Sequence, residues 1–148
     1  MTGNPLAALN DETISAGGDY TVVAAGPATS PSLLLLVNNF SGSLGAGSAA
    51  VRFMSLTPSA AGTVSNYVFY RGEIGANSPL ALNMPFGIQS AYSIVASGAA
   101  TYSAMRTPGN VTIDAGSTIT LQPASANTIA LVPNASGGSQ LTRLPRCF

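Results

Sequence analysis

Histidine, lysine and tryptophan are all missing from this chain of 148 residues, and cysteine occurs once. Without histidine the commonest general base and a common metal ligand are gone. One cysteine and five dispersed acids cannot assemble a zinc site, a Cys-His pair or a Ser-His-Asp triad. The expectation is therefore a non-enzymatic protein with no catalytic, metal or cofactor residues. The only cations are Arg52, Arg71, Arg106, Arg143 and Arg146, scattered so that no basic stripe forms, which argues against nucleic acid as a partner. Asp11, Glu12, Asp19, Glu73 and Asp114 cancel them, and charged residues reach only 7% where about 25% is usual. The surface must be built from Ser, Thr, Asn, Gly and Ala, and so neutral a surface does little to hold copies apart. No apolar run approaches the roughly 18 residues of a membrane span, and no charged region with an apolar signal core follows Met1. Cys147 excludes an intrachain disulfide and is free to bond to a partner chain, although an exposed thiol is the plainer reading.

What the chain does have is concentrated in residues 32–39, SLLLLVNN, where Leu33, Leu34, Leu35, Leu36 and Val37 are consecutive. Successive side chains of a strand point to opposite faces, so an apolar run without alternation predicts a strand covered on both sides. Pro31 and Asn38-Asn39 bound it too tightly for a helix. The cover must come from the following domain or from another copy of the protein.

Residues 12–18 predict a brief strand and turn, and 20–25 (YTVVAA) a strand by β-branched and aromatic content, ended by Gly26-Pro27. With the leucine run this makes an N-terminal hairpin over 1–40. Residues 41–48, within FSGSLGAGS, form the one linker-like stretch. From 49 to 148 short strand-like segments follow at 50–55, 64–70, 91–96, 101–106, 111–114, 118–121 and 128–132. Turn signals stand between them at Arg71-Gly72, Pro85-Phe86-Gly87, Ser97-Gly98, Pro108-Gly109-Asn110 and Ala115-Gly116. Short strands at this spacing predict an all-β sandwich. Within 101–106 the alternation assigns Tyr102 and Ala104 to the core face.

A partial repeat overlays this pattern. TISAG at 13–17 returns as TIDAG at 112–116, and VNNFSG at 37–42 returns as VPNASG at 132–137, in the same order and at nearly the same spacing. The hairpin then reads as a copy of the closing strands of a sandwich, lacking its opening strands and therefore left with unpaired edges that can be donated to a neighbour.

From about 49 to 132 the chain resembles the bacterial domain-of-unknown-function family 4397. The residues that carry the resemblance are Val51-Arg52-Phe53 leading to Thr57-Pro58, Tyr67-Val68 ending in Gly72, Phe86-Gly87 near Tyr92, the Tyr102 strand, and Ala115-Gly116 before Thr118 and Thr120. Residues 20–26 are similar to the strand that ends such a repeat, whereas the acid common before the Tyr-Val strand is replaced by Ser65-Asn66. The resemblance implies an exported, surface-associated immunoglobulin-like antiparallel β-sandwich and brings no catalytic residues.

Other chemistry is thin. Asp11-Glu12 lacks the ligand spacing of a calcium loop, and Glu73 with Asp114 has no local support as a glycosidase pair. Gly42–47 has no following lysine and reads as linker. Asn39, Asn110 and Asn134 head glycosylation sequons at a frequency that chance accounts for. Tyr67, Phe69, Tyr70 and Tyr92 form either an aromatic sugar platform or, more simply, core. The resulting expectation is an extracellular or cell-surface structural subunit that associates with copies of itself, without nucleic acid or a membrane span. It builds a filament by strand donation, with Tyr20, Val22, Leu33, Leu34, Leu35, Leu36 and Val37 at the subunit interface. A surface adhesion or glycan-binding module and a phage capsid or decoration protein are the alternatives.

Overall fold

The computed structural model of the chain describes residues 7, 9, 12–27, 29–59 and 64–145. Among them the regular elements are all strands: β1 (Tyr20–Ala25), β2 (Ser32–Val37), β3 (Ser48–Ser55), β4 (Asn66–Arg71), β5 (Ala81–Met84), β6 (Ser93–Ala96), β7 (Gly98–Thr107), β8 (Val111–Leu121), β9 (Ala126–Pro133) and β10 (Ser139–Arg143). They fall into two compact units that divide between Asn39 and Phe40.

The first unit is a β-hairpin. β1 and β2 pair antiparallel with Tyr20 opposite Val37, Val22 opposite Leu35 and Ala25 opposite Ser32. Gly26, at φ 97, begins the connection, a conformation that costs glycine little. The sequence leads to the same element because two apolar β-forming runs flank a Gly-Pro break.

The second unit is a sandwich of two four-stranded sheets, ordered β10-β9-β3-β6 and β5-β4-β7-β8. Its pairings are antiparallel except for β3 with β9, which run parallel from Ala50–Ala126 to Ser55–Leu131. That pair departs from the all-antiparallel expectation. β9 enters this sheet from β8 of the other one, whereas β3 is the first strand of the unit, so no hairpin connects the two neighbours. Between the sheets lie Val51, Phe53, Tyr67, Phe69, Tyr102, Ala104, Leu121, Ile129 and Leu131. Phe53 and Phe69 stack at 5.1 Å across the interface, with Tyr102 tilted against Phe53 at 6.1 Å. Each such side chain contributes about 1.5–3 kcal/mol by burial, so this aromatic centre holds the two layers together. Tyr102 and Ala104 both have 0% exposure, as the alternation in 101–106 predicts.

Inner strands of the sandwich are covered on both faces: Tyr67–Tyr70 of β4 and Ala126–Leu131 of β9 are buried throughout, and β3 carries this furthest. From Ala49 to Ser55 every residue is buried, including those pointing away from the core. On that outer face Arg52, 4% exposed, gives its Nε hydrogen to Thr128 Oγ1 at 2.9 Å and stands 4.9 Å from the ring centre of Tyr92. Tyr92 in turn meets Phe40 edge-on at 5.2 Å. In β2, by contrast, Leu36 is 1% exposed but Leu33, Leu34 and Leu35 are only half-buried and Val37 is 41% exposed. Double cover inside the chain is thus found in the inner strands of the sandwich, where neighbours and loops supply it, and not in the two-stranded leucine ribbon.

Three further differences have local causes. β8 is one strand, not two, and Ala115-Gly116 is not a turn: the ladder shifts register around Ala104 and Asp114. Gly116 lies at φ 158, and a Cβ there would stand 2.7 Å from Thr101 Cγ2 and force it to turn aside, so glycine is favoured at the bulge. Residues 13–17 form no strand but lead into a turn closed by Gly18 N–H bonding to Ser15 O at 3.1 Å, while the matching 112–116 lie in β8. β5 and β10 carry no β-branched pattern and form because β4 and β9 offer them a ladder.

Candidate functional site

The hairpin gathers every residue expected at a subunit interface. Residues directly opposite in an antiparallel pair share a face, so Tyr20, Val22, Ala24, Leu33, Leu35 and Val37 form one side and Thr21, Val23, Ala25, Ser32, Leu34 and Leu36 the other. The second side is the more covered. The first is open: Val22 is 55% exposed, Ala24 is exposed, and Tyr20, Leu33 and Leu35 are half-buried.

A polar clasp sets the base of the hairpin. Asn38 N–H donates to Asp19 O at 2.8 Å, and the Asn38 side-chain amide donates to Asp19 Oδ1 at 2.9 Å and Thr21 Oγ1 at 3.0 Å. Tyr20 adds a brace, its hydroxyl oxygen accepting the Ser15 N–H at 3.0 Å, and its ring fills the space a Cβ on Gly18 would need. These partners of the leucine run were not anticipated. The only trace of them in the sequence is the Asn that ends the run and the Asp that precedes Tyr20.

The clasp also fixes which backbone groups point outward. In an antiparallel ladder, directly hydrogen-bonded pairs alternate with pairs whose N–H and C=O groups face away. Since Asp19 and Asn38 are a bonded pair, the outward groups of β1 belong to Tyr20, Val22 and Ala24. No strand among the described residues pairs with that edge. Its six residues hold no proline, no charge and no bulge. The sandwich edges are different: β5 and β6 have four residues each, β8 is bulged, and β10 ends in Arg143. Short length, bulges and charge are what keep an edge from pairing with another chain, and β1 has none of them.

The remaining sequence candidates separate. Tyr67, Phe69 and Tyr70 are buried and Tyr92 is engaged with Arg52 and Phe40, so no aromatic platform is offered to solvent. The Asp114 carboxylate is taken up structurally: Oδ1 accepts Gly116 N–H at 2.9 Å, and Oδ2 accepts the Ser117 hydroxyl at 2.6 Å and Leu141 N–H at 2.7 Å. It therefore ties the bulge of β8 to β10 in the opposite sheet. Cys147 and Asp11 lie outside the described residues. Among the described residues no three metal-ligating side chains cluster, and no helix is long and apolar enough to cross a membrane. Compared with protein-family models and with curated proteins, the chain matches none.

Proposed function

We propose that this protein is a non-enzymatic structural subunit of an extracellular or cell-surface assembly, joined to further copies of itself through the outer edge of β1. The observation that carries this reading is the hairpin itself: a two-stranded sheet with an open apolar side and an outer β1 edge that holds no proline, charge or bulge. Two-stranded sheets are marginal alone in water, and added strands stabilise them. Pairing of β1 with a neighbour adds main-chain hydrogen bonds and sets the neighbour's side chains beside Tyr20, Val22 and Ala24, which is strand addition in its usual form. Repeated without closing on itself, such a contact yields a filament. The near absence of charge supports close packing of copies. An immunoglobulin-like sandwich of the exported repeat family that the chain resembles agrees with this role, as two packed sheets and a preceding hairpin suit a tandem, surface-displayed module.

The test is Val22→Pro in the full chain. The Val22 N–H faces away from β2, so proline there leaves the hairpin ladder intact and removes an outward donor. Sedimentation and electron microscopy are expected to show assemblies for the parent and dispersed chains for the variant. A Val22→Pro protein that polymerises like its parent rules out pairing through β1.

A further inference from the structure

At one end of the sandwich a cleft of about 620 Å³ opens between the sheets. Tyr67 and Arg106 stand opposite each other on β4 and β7 and so share its floor. Thr57 and Ser59 enter from the segment after β3, Thr112 from β8, and Ser139 from the start of β10. Arg106 is the single charged residue of the lining. It is exposed and meets no acceptor among the described residues. Tyr67 is 3% exposed as a residue and lines the cleft; its hydroxyl makes no hydrogen bond among the described residues and, unlike that of Tyr102, is not closed off from solvent. It is a phenol open to the cleft, able to donate to and accept from a bound molecule.

We propose that this cleft binds an acidic sugar, with Arg106 taking its carboxylate and Tyr67 together with the surrounding hydroxyls taking its ring oxygens. The charge selects an anion because the lining holds one guanidinium and no acid. Hydroxyl groups that both donate and accept match a polyol better than a bare inorganic anion. Pro58 and Ile113, also in the lining, supply apolar surface for the C–H face of a sugar ring. The volume is that of a small-molecule site and far exceeds the needs of a simple ion. Burial raises the Tyr67 phenol above its ordinary value of 10.0 and the Arg106 charge lowers it in part, so the two groups are electrostatically linked. The site lies within the sandwich and stands independently of the assembly reading.

Titration calorimetry of the full chain with glucuronate, glucose and acetate tests it. Glucuronate is expected to bind, with glucose and acetate each at least about tenfold weaker. Arg106→Gln, a change at an exposed position, is expected to lose at least about tenfold, and Tyr67→Phe a smaller factor. Bound carboxylate also offsets the Arg106 charge, so the Tyr67 phenol should ionise at still higher pH when glucuronate is present. Absence of glucuronate binding in the millimolar range, or unchanged binding by Arg106→Gln, overturns the proposal. Acetate binding as tightly as glucuronate overturns the sugar assignment.

Discussion

Tyr102 brings a hydroxyl into the aromatic centre of the sandwich and leaves it without a partner, the one such side-chain atom among the described residues. Removing that oxygen removes its desolvation cost and keeps the ring, so Tyr102→Phe is expected to raise unfolding stability by about 1 kcal/mol in denaturant titration. The same burial raises the Tyr102 phenol above 10.0, with Arg71 pulling it partly back. A phenol that holds its proton more tightly folded than unfolded gives full stability below about pH 10 and loses it as pH rises through the folded value. Tyr102→Phe should therefore flatten part of the alkaline limb of the stability profile, and a limb of unchanged slope would contradict this. Strict alternation around Tyr102 made its core position legible in the sequence. Arg52 was not legible, because an arginine next to Phe53 in a strand falls on the opposite face and reads as solvent-facing. Its burial depends on Thr128, 76 residues away, and on Tyr92.

The elements most readable from sequence are those whose own side chains favour extended backbone: β1, β2, β3, β4, β7 and β9. β5 (ALNM) and β10 (SQLTR) have little intrinsic strand preference and exist because a neighbouring strand offers unpaired groups. The bulge in β8 was equally hidden, since Ala115-Gly116 looks like a turn until Thr101 is seen to press on it. Asp114 links this bulge to β10 and so to the other sheet. Asp114→Ala leaves the Leu141 and Gly116 N–H groups without that acceptor and is expected to cost about 1–3 kcal/mol of unfolding free energy. Asp114→Asn keeps an acceptor and should cost less. Equal stability of both variants with the parent would show that the link between the sheets carries no weight.

For the molecule as a whole, the division into hairpin and sandwich follows from composition: an apolar hairpin, a Gly-Ser stretch, then evenly punctuated strands. The internal similarity of 13–17 to 112–116 did not translate into shared structure. Short matches rich in Ala, Gly and Thr take the conformation their surroundings offer. The leucine run showed where an apolar surface would be left over, but not which side of it. That depended on the register with β1, which places Leu33 and Leu35 beside Val22 and leaves Leu34 and Leu36 on the covered side. The backbone of β1 supplies the most direct test. Amide hydrogen exchange on assembled protein should show Tyr20, Val22 and Ala24 protected, although their N–H groups have no partner within the described chain. The protection should disappear on dilution to single chains. Exchange at Val22 as fast in the assembled state as in single chains would contradict pairing through this edge.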